Sequence, residues 1–255
     1  MFSDFREDPA PTPGHITFEY EAIYLTLYSG SSKNTTRISN LGGCDSPVVS
    51  PDGTRVAYIR TTLDWASSYI VIREINSDQQ KEIKGNFYAS RIDGLSWSPD
   101  GKKLALIDNS LNRIDILDVS SETISHVISE RAEFVSFSPD GTKIAYMVRK
   151  NSDTNDADGW LLIIYDLGSQ NFVTVTERYD MRGLIGPFYW TSLGDYLLFR
   201  SFSIDKGGNR GPEELWRVQA NGENPERTEE SWEILDQSFY PWFRVISENN
   251  FFFYD

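Results

Sequence analysis

Apolar residues in this chain gather in short consecutive runs, and no stretch has the three-and-four spacing of an amphipathic helix. The runs recur. Val56-Ala57-Tyr58-Ile59, Leu104-Ala105-Leu106-Ile107 and Ile144-Ala145-Tyr146-Met147 each follow one turn sequence, Ser50-Pro51-Asp52-Gly53, Ser98-Pro99-Asp100-Gly101 and Ser138-Pro139-Asp140-Gly141. Pro presets φ for the first corner, Asp bonds nearby backbone and Gly takes the left-handed exit, so the turn joins two antiparallel strands. These Asp residues are therefore expected to shape turns. Downstream lie a third, apolar strand and a more polar fourth, as in Tyr69-Ile70-Val71-Ile72 then Gln80-Lys81-Glu82-Ile83, and Ile114-Asp115-Ile116-Leu117 then Thr123-Ile124-Ser125-His126. The unit is a four-stranded meander. Continuous apolar runs such as Leu161-Leu162-Ile163-Ile164-Tyr165 predict burial on both faces.

Two worn copies extend the series. Trp190-Thr191-Ser192-Leu193-Gly194 keeps the aromatic and the glycine but loses Pro-Asp, and Trp242 precedes Ser247-Glu248-Asn249-Asn250 and the run Phe251-Phe252-Phe253-Tyr254. Gly53, Gly101, Gly141, Gly194 and Asn249 are spaced by 48, 40, 53 and 55 residues, the period of solenoids and propellers. Sheets stacked radially between neighbours bury both faces, which predicts an all-β propeller of four-stranded antiparallel blades. The shared Ala57, Ala105 and Ala145 position predicts close approach of an adjacent sheet. Five first strands predict five blades, the last shared between the chain ends. The C-terminus gives its inner strands, near Phe239–Phe243 and Phe251–Tyr254, and residues 23–27 and 36–39 give its outer ones. Ile16-Thr17-Phe18-Glu19-Tyr20 is a further strand that keeps six blades as an alternative. Residues 1–14, with Pro9-Ala10-Pro11-Thr12-Pro13-Gly14, read as a stiff leading linker, and 15–255 as one propeller domain.

Composition narrows the function. A net charge of −14 opposes binding to phosphate backbones, while 14% aromatic residues and 39% hydrophobic residues support a packed core. The chain contains neither an apolar stretch long enough to span a bilayer nor a signal-peptide pattern. The lone Cys44 forms no intrachain disulfide and reads as a loop position.

The aromatic-SPDG-apolar units, over about residues 22 to 254, resemble the TolB-type propeller repeat, which also resembles the propeller domains of prolyl oligopeptidases and dipeptidyl peptidases. The resemblance implies a protein-recruiting scaffold in a periplasmic or otherwise extracytoplasmic setting; a small ligand is the alternative to a protein partner, and the missing signal-peptide pattern keeps a cytoplasmic setting open. TolB itself adds an α/β domain and six blades, and the peptidases add a hydrolase domain, for which this length leaves no room.

In such a meander the second-to-third and blade-to-blade connections share one end, and their lengths vary most, as expected of recognition loops on a rigid scaffold. They hold Trp65, Tyr88, Arg91, Arg131, Tyr179, Arg182, Arg210 and Trp232, residue types that anchor interfaces. One acidic loop, with Asp153, Asp156 and Asp158, matches part of a calcium loop but lacks its closing Glu, so a solvated loop is the competing reading and no cofactor is otherwise expected. No nucleophile elbow or phosphate-binding glycine loop is found. The two histidines, His15 and His126, are read as structural or solvent-facing, without company suited to a triad or a metal. The enzyme alternative is a glycosidase using Asp93, Glu133 and Asp236 near the pore; blade-to-blade hydrogen bonding is their plainer role.

Overall fold

The computed structural model describes residues 14–19, 22–29, 32–39, 43–62, 67–85, 94–108, 111–149, 160–175, 184–204, 209–228, 244–247 and 250–254. The strands form meanders because each apolar, β-branched run ends in a turn that reverses the chain. In chain order, β1 (Gly14–Glu19), β2 (Ala22–Ser29) and β3 (Ser32–Arg37) begin the first sheet. Four four-stranded antiparallel sheets follow. The first of these is β4 (Gly43–Val49), β5 (Arg55–Thr61), β6 (Ser68–Glu74) and β7 (Gln80–Gly85). Next come β8 (Leu95–Trp97), β9 (Lys103–Asp108), β10 (Arg113–Asp118) and β11 (Ile124–Ile128). The third is β12 (Ala132–Phe137), β13 (Lys143–Arg149), β14 (Trp160–Asp166) and β15 (Phe172–Thr174). The fourth is β16 (Leu184–Trp190), β17 (Tyr196–Ile204), β18 (Arg210–Gln219) and β19 (Glu226–Arg227). Last, β20 (Arg244–Ser247) and β21 (Asn250–Tyr254) return to the first sheet.

That sheet runs β20-β21-β1-β2-β3. The chain ends share it, as expected, with its strands placed differently: the inner strand is Arg244–Ser247, while 239–243 lie outside the described residues. The strand read as 16–20 starts at Gly14 and adds no separate sheet; it inserts between β21 and β2, pairing parallel to the former (Gly14 with Phe252) and antiparallel to the latter. Gly14 thus lies in β1 and not in a linker. The outer strand also shifts, from 36–39 to Ser32–Arg37. Ile38 and Ser39 follow β3 with their amides still on the Ile23 carbonyl, at 2.9 and 3.3 Å, while the Ser39 hydroxyl accepts the Ile23 amide at 2.8 Å.

The chain divides into two compact units, residues 1–86 with 232–255, and residues 87–231. In the first, Ile23 and Ile38 pack with Cys44, Val49, Val56, Tyr58 and Val71 of the next sheet. In the second, Ala105, Ile107 and Ile114 pack against Val135, Ile144, Tyr146 and Ile163, and Ala145, Leu162 and Ile164 against Phe188, Leu197 and Phe199. Ala105 and Ala145 lie fully buried between sheets, as their repeat position predicts. Strands β5 and β9 are buried over four and five consecutive residues, whereas β7 and β11 are largely exposed.

The turns lock the sheets together. Gly141 and Gly194 have φ of +71° and +72°, and a Cβ on either would stand 3.2 Å from Pro99 or Pro139, the proline of the preceding repeat's turn. Glycine is required there by conformation and by the stacked neighbour alike. The Ser96 hydroxyl adds a buried link by accepting the Phe137 amide at 3.0 Å.

Candidate functional site

Each four-stranded sheet has a uniform end and a variable end. The first-to-second turns span residues 50–54, 98–102, 138–142 and 191–195, five residues every time. In each intact copy the serine hydroxyl donates to the turn carboxylate and accepts the amide that opens the second strand: Ser50 to Asp52 at 2.5 Å with Arg55 N at 2.9 Å, Ser98 to Asp100 at 2.6 Å with Lys103 N at 2.9 Å, and Ser138 to Asp140 at 2.5 Å with Lys143 N at 2.9 Å. The worn copy rebuilds this from different residues, Thr191 donating to Asp195 at 2.5 Å and accepting Tyr196 N at 3.1 Å. The third-to-fourth turns bond back onto these: Ile75, Val119, Leu167 and Ala220 donate their amides to the carbonyls of Thr54, Lys102, Thr142 and Asp195 at 2.8, 2.9, 3.0 and 2.9 Å. Asp52, Asp100, Asp140 and Asp195 are therefore committed to turns. Hydrogen bonds from Ser120 and Ser121 hold Asp118 down to about 2, and those from Ser169 do the same to Asp166.

The opposite end is built otherwise. Second-to-third connections span residues 62–67, 109–112, 150–159 and 205–209, four to ten residues long. Of the predicted contact residues, Arg131 is exposed in the link between β11 and β12, and Arg210 opens β18. Trp65, Tyr88, Arg91, Tyr179, Arg182 and Trp232 lie outside the described residues, as do Asp153, Asp156, Asp158, Asp93 and Asp236. Glu133 is half-buried where the β12 register shifts between Ala132 and Phe134. Among the described residues no group of three or more His, Cys, Asp or Glu is placed to hold a metal.

At this variable end the structure assembles a polar chain, which corrects the reading of His126 as a histidine without company. Asp115 is completely buried on β10. Its Oδ1 lies 3.2 Å from His126 Nδ1, and His126 Nε2 lies 2.9 Å from Ser129 Oγ. The other carboxylate oxygen is 2.8 Å from Arg113 Nε, an ion pair without hydrogen-bond alignment, and Asp108 Oδ2 stands 3.7 Å from the same nitrogen. A register shift makes the alignment. Ile114 faces Ile128 while Asp115 faces His126, so β11 carries an extra residue, Val127, and such bulges re-aim side chains. Next to Ser129, Glu130 takes a hydrogen bond from the Tyr146 hydroxyl; burial, then Glu130, raises the Tyr146 pKa. Burial likewise pushes Tyr58, at the same repeat position, up to about 12. The sequence held one signal of this cluster, an Asp inside the apolar run 114–117. Its pairing with His126 depends on the bulge, which periodicity does not reveal.

No family model matches the chain, and no curated protein matches it by sequence. Solved structures do. The chain is similar to TolB from Acinetobacter baumannii (15% identity, 82% of this chain and 49% of that one, TM-score 0.57). It is also similar to an oligogalacturonate lyase in complex with manganese (13%, 81% and 58%, TM-score 0.58) and to the β-propeller domain of the Trilobed protease from Pyrococcus furiosus (16%, 89% and 73%, TM-score 0.53). The chain spans about half the length of the TolB structure it matches. Its fold is the TolB-type β-propeller, a scaffold that carries unrelated functions.

Proposed function

We propose that this TolB-type propeller is a non-catalytic binding and scaffolding module, which recognises a protein partner through the connections at the variable end of its sheets. One observation carries the reading: turns at one end are constant at five residues with their carboxylates consumed internally, while the connections opposite range from four to ten. Invariant ends serve the fold and variable ends serve recognition. The anchors are Trp65, Tyr88, Arg91, Arg131, Tyr179, Arg182, Arg210 and Trp232, aromatic and guanidinium side chains of the kind that dominate interface energies. The net charge of −14 favours a partner with a basic surface and disfavours nucleic acid. The setting we propose is extracytoplasmic, as the resemblance to TolB implies. Among the described residues no helix is long and apolar enough to cross a membrane.

The test is capture of proteins from an envelope fraction by the immobilised chain, beside variants W65A, R131A, R182A and W232A. We expect at least one of these to weaken capture about tenfold or more, equivalent to roughly 1.4 kcal/mol, at unchanged melting temperature. Undiminished capture by all four would refute the assignment of this end.

A further inference from the structure

We propose that Ser129 is a nucleophilic acyl-acceptor site, set up by His126 and Asp115, that takes the acyl group of a small activated ester. This chemistry does not depend on the partner-binding reading. Three observations converge on it.

The first is connectivity. The Asp115 carboxylate accepts, so the proton on Nδ1 of His126 is directed to it across 3.2 Å, which leaves the Nε2 lone pair facing the Ser129 hydroxyl at 2.9 Å. This is the order of groups that turns a hydroxyl into a nucleophile: base beside the hydroxyl, carboxylate behind the base.

The second is support. Asp115 is fully buried, ion-paired to Arg113 at 2.8 Å on its other oxygen, and the bulge at Val127 brings His126 opposite it. Ser129 stands in the three-residue link 129–131, whose middle residue, Glu130, is tied to Tyr146. Base and nucleophile are therefore held from below by sheet residues.

The third is access. His126 and Ser129 are both exposed, so an ester reaches the hydroxyl directly from solvent. An open site of this kind selects by leaving-group quality, which is why the substrate class is a small activated ester. In the step, Ser129 Oγ bonds to the acyl carbon while its proton passes to Nε2. The bond from that carbon to the leaving oxygen then breaks, and the imidazolium returns the proton to the departing alkoxide or phenolate. The products are a seryl ester and an alcohol or phenol, with no oxidant or reductant involved.

The experiment treats the full chain with p-nitrophenyl acetate, following p-nitrophenolate release by absorbance and the acetylated position by peptide mass mapping. We expect about one acetyl group per chain, carried on Ser129. Ser129→Ala should abolish the adduct, and His126→Gln should slow it about a hundredfold, the scale of general-base assistance. Both positions are exposed, so the two variants should fold as the parent does. Asp115 acts through His126 as a positioning residue, and its readout is the pH dependence of Ser129 acetylation, which Asp115→Asn should change while acetylation of surface lysines keeps its rate. Acetylation confined to lysines, or Ser129 acetylated equally fast in His126→Gln, overturns the proposal. Either result leaves the partner-capture test untouched.

Discussion

Asp118 illustrates how single residues spend their polarity on the turns. Ser120 and Ser121 surround its carboxylate with two hydroxyls and two amides, all reaching one oxygen at 2.6 to 3.1 Å. Its pKa is held at about 2, with the Ser120 hydroxyl the largest cause. A carboxyl that titrates lower when folded than when unfolded supplies stability in full above the ordinary carboxylate range, and loses it as pH falls toward 2. A carbon-detected NMR titration should therefore find Asp118 titrating near 2, and Ser120→Ala should move it upward. An ordinary aspartate titration in the parent chain would contradict this account. The paired tyrosines make a second contrast. The buried hydroxyl of Tyr58 has no hydrogen-bond partner among the described residues, whereas that of Tyr146 reaches Glu130. Deleting an unbonded hydroxyl removes a desolvation cost, and deleting a bonded one removes about 1 kcal/mol. Chemical denaturation should find Tyr58→Phe neutral or stabilising and Tyr146→Phe destabilised by about that amount.

At the scale of elements, the turns carry the fold, and they were legible to different degrees. Ser-Pro-Asp-Gly announced three hairpins, and the structure forms them with one hydrogen-bond pattern. The fourth was legible through Trp190 and Gly194; its carboxylate comes from Asp195, two places beyond where the intact copies hold theirs. Spacing showed that a turn was there and hid how it is satisfied. Gly222 was equally silent in sequence. It sits in the turn between β18 and β19 with φ +78°, and a Cβ there would lie 2.6 Å from Val173 on the neighbouring sheet. Ala at this position meets both backbone strain and a clash, so Gly222→Ala should cost about 2 to 4 kcal/mol, read from the denaturation midpoint. Gly222→Ala combined with Val173→Ala should recover the steric part only. A neutral single substitution would mean that the sheets do not meet there as described. The candidate site divides the same way. Residue type and place in the repeat put Arg131 in an exposed link between sheets, and there it lies, but the relay through Asp115 required knowing that β11 carries one residue more than its partner.

For the molecule as a whole, the repeat period led directly to the propeller fold, because a four-strand unit repeated every 40 to 55 residues has few other ways to bury both faces. Sharing of a sheet by the two chain ends was legible too, since the first repeat lacks inner strands and the last lacks outer ones. The arrangement within that sheet was not. Alternation alone does not reveal that β1 enters between the two sets and runs parallel to β21. That insertion bears on the order of assembly. Every other sheet closes through neighbours a few residues away along the chain, so it can form while the ribosome is still at work. Gly14 and Phe252 meet across 238 positions, and loops of that length close late and slowly. Until β21 emerges, β1 carries an unpaired edge, the kind of surface on which another nascent chain could dock by mistake.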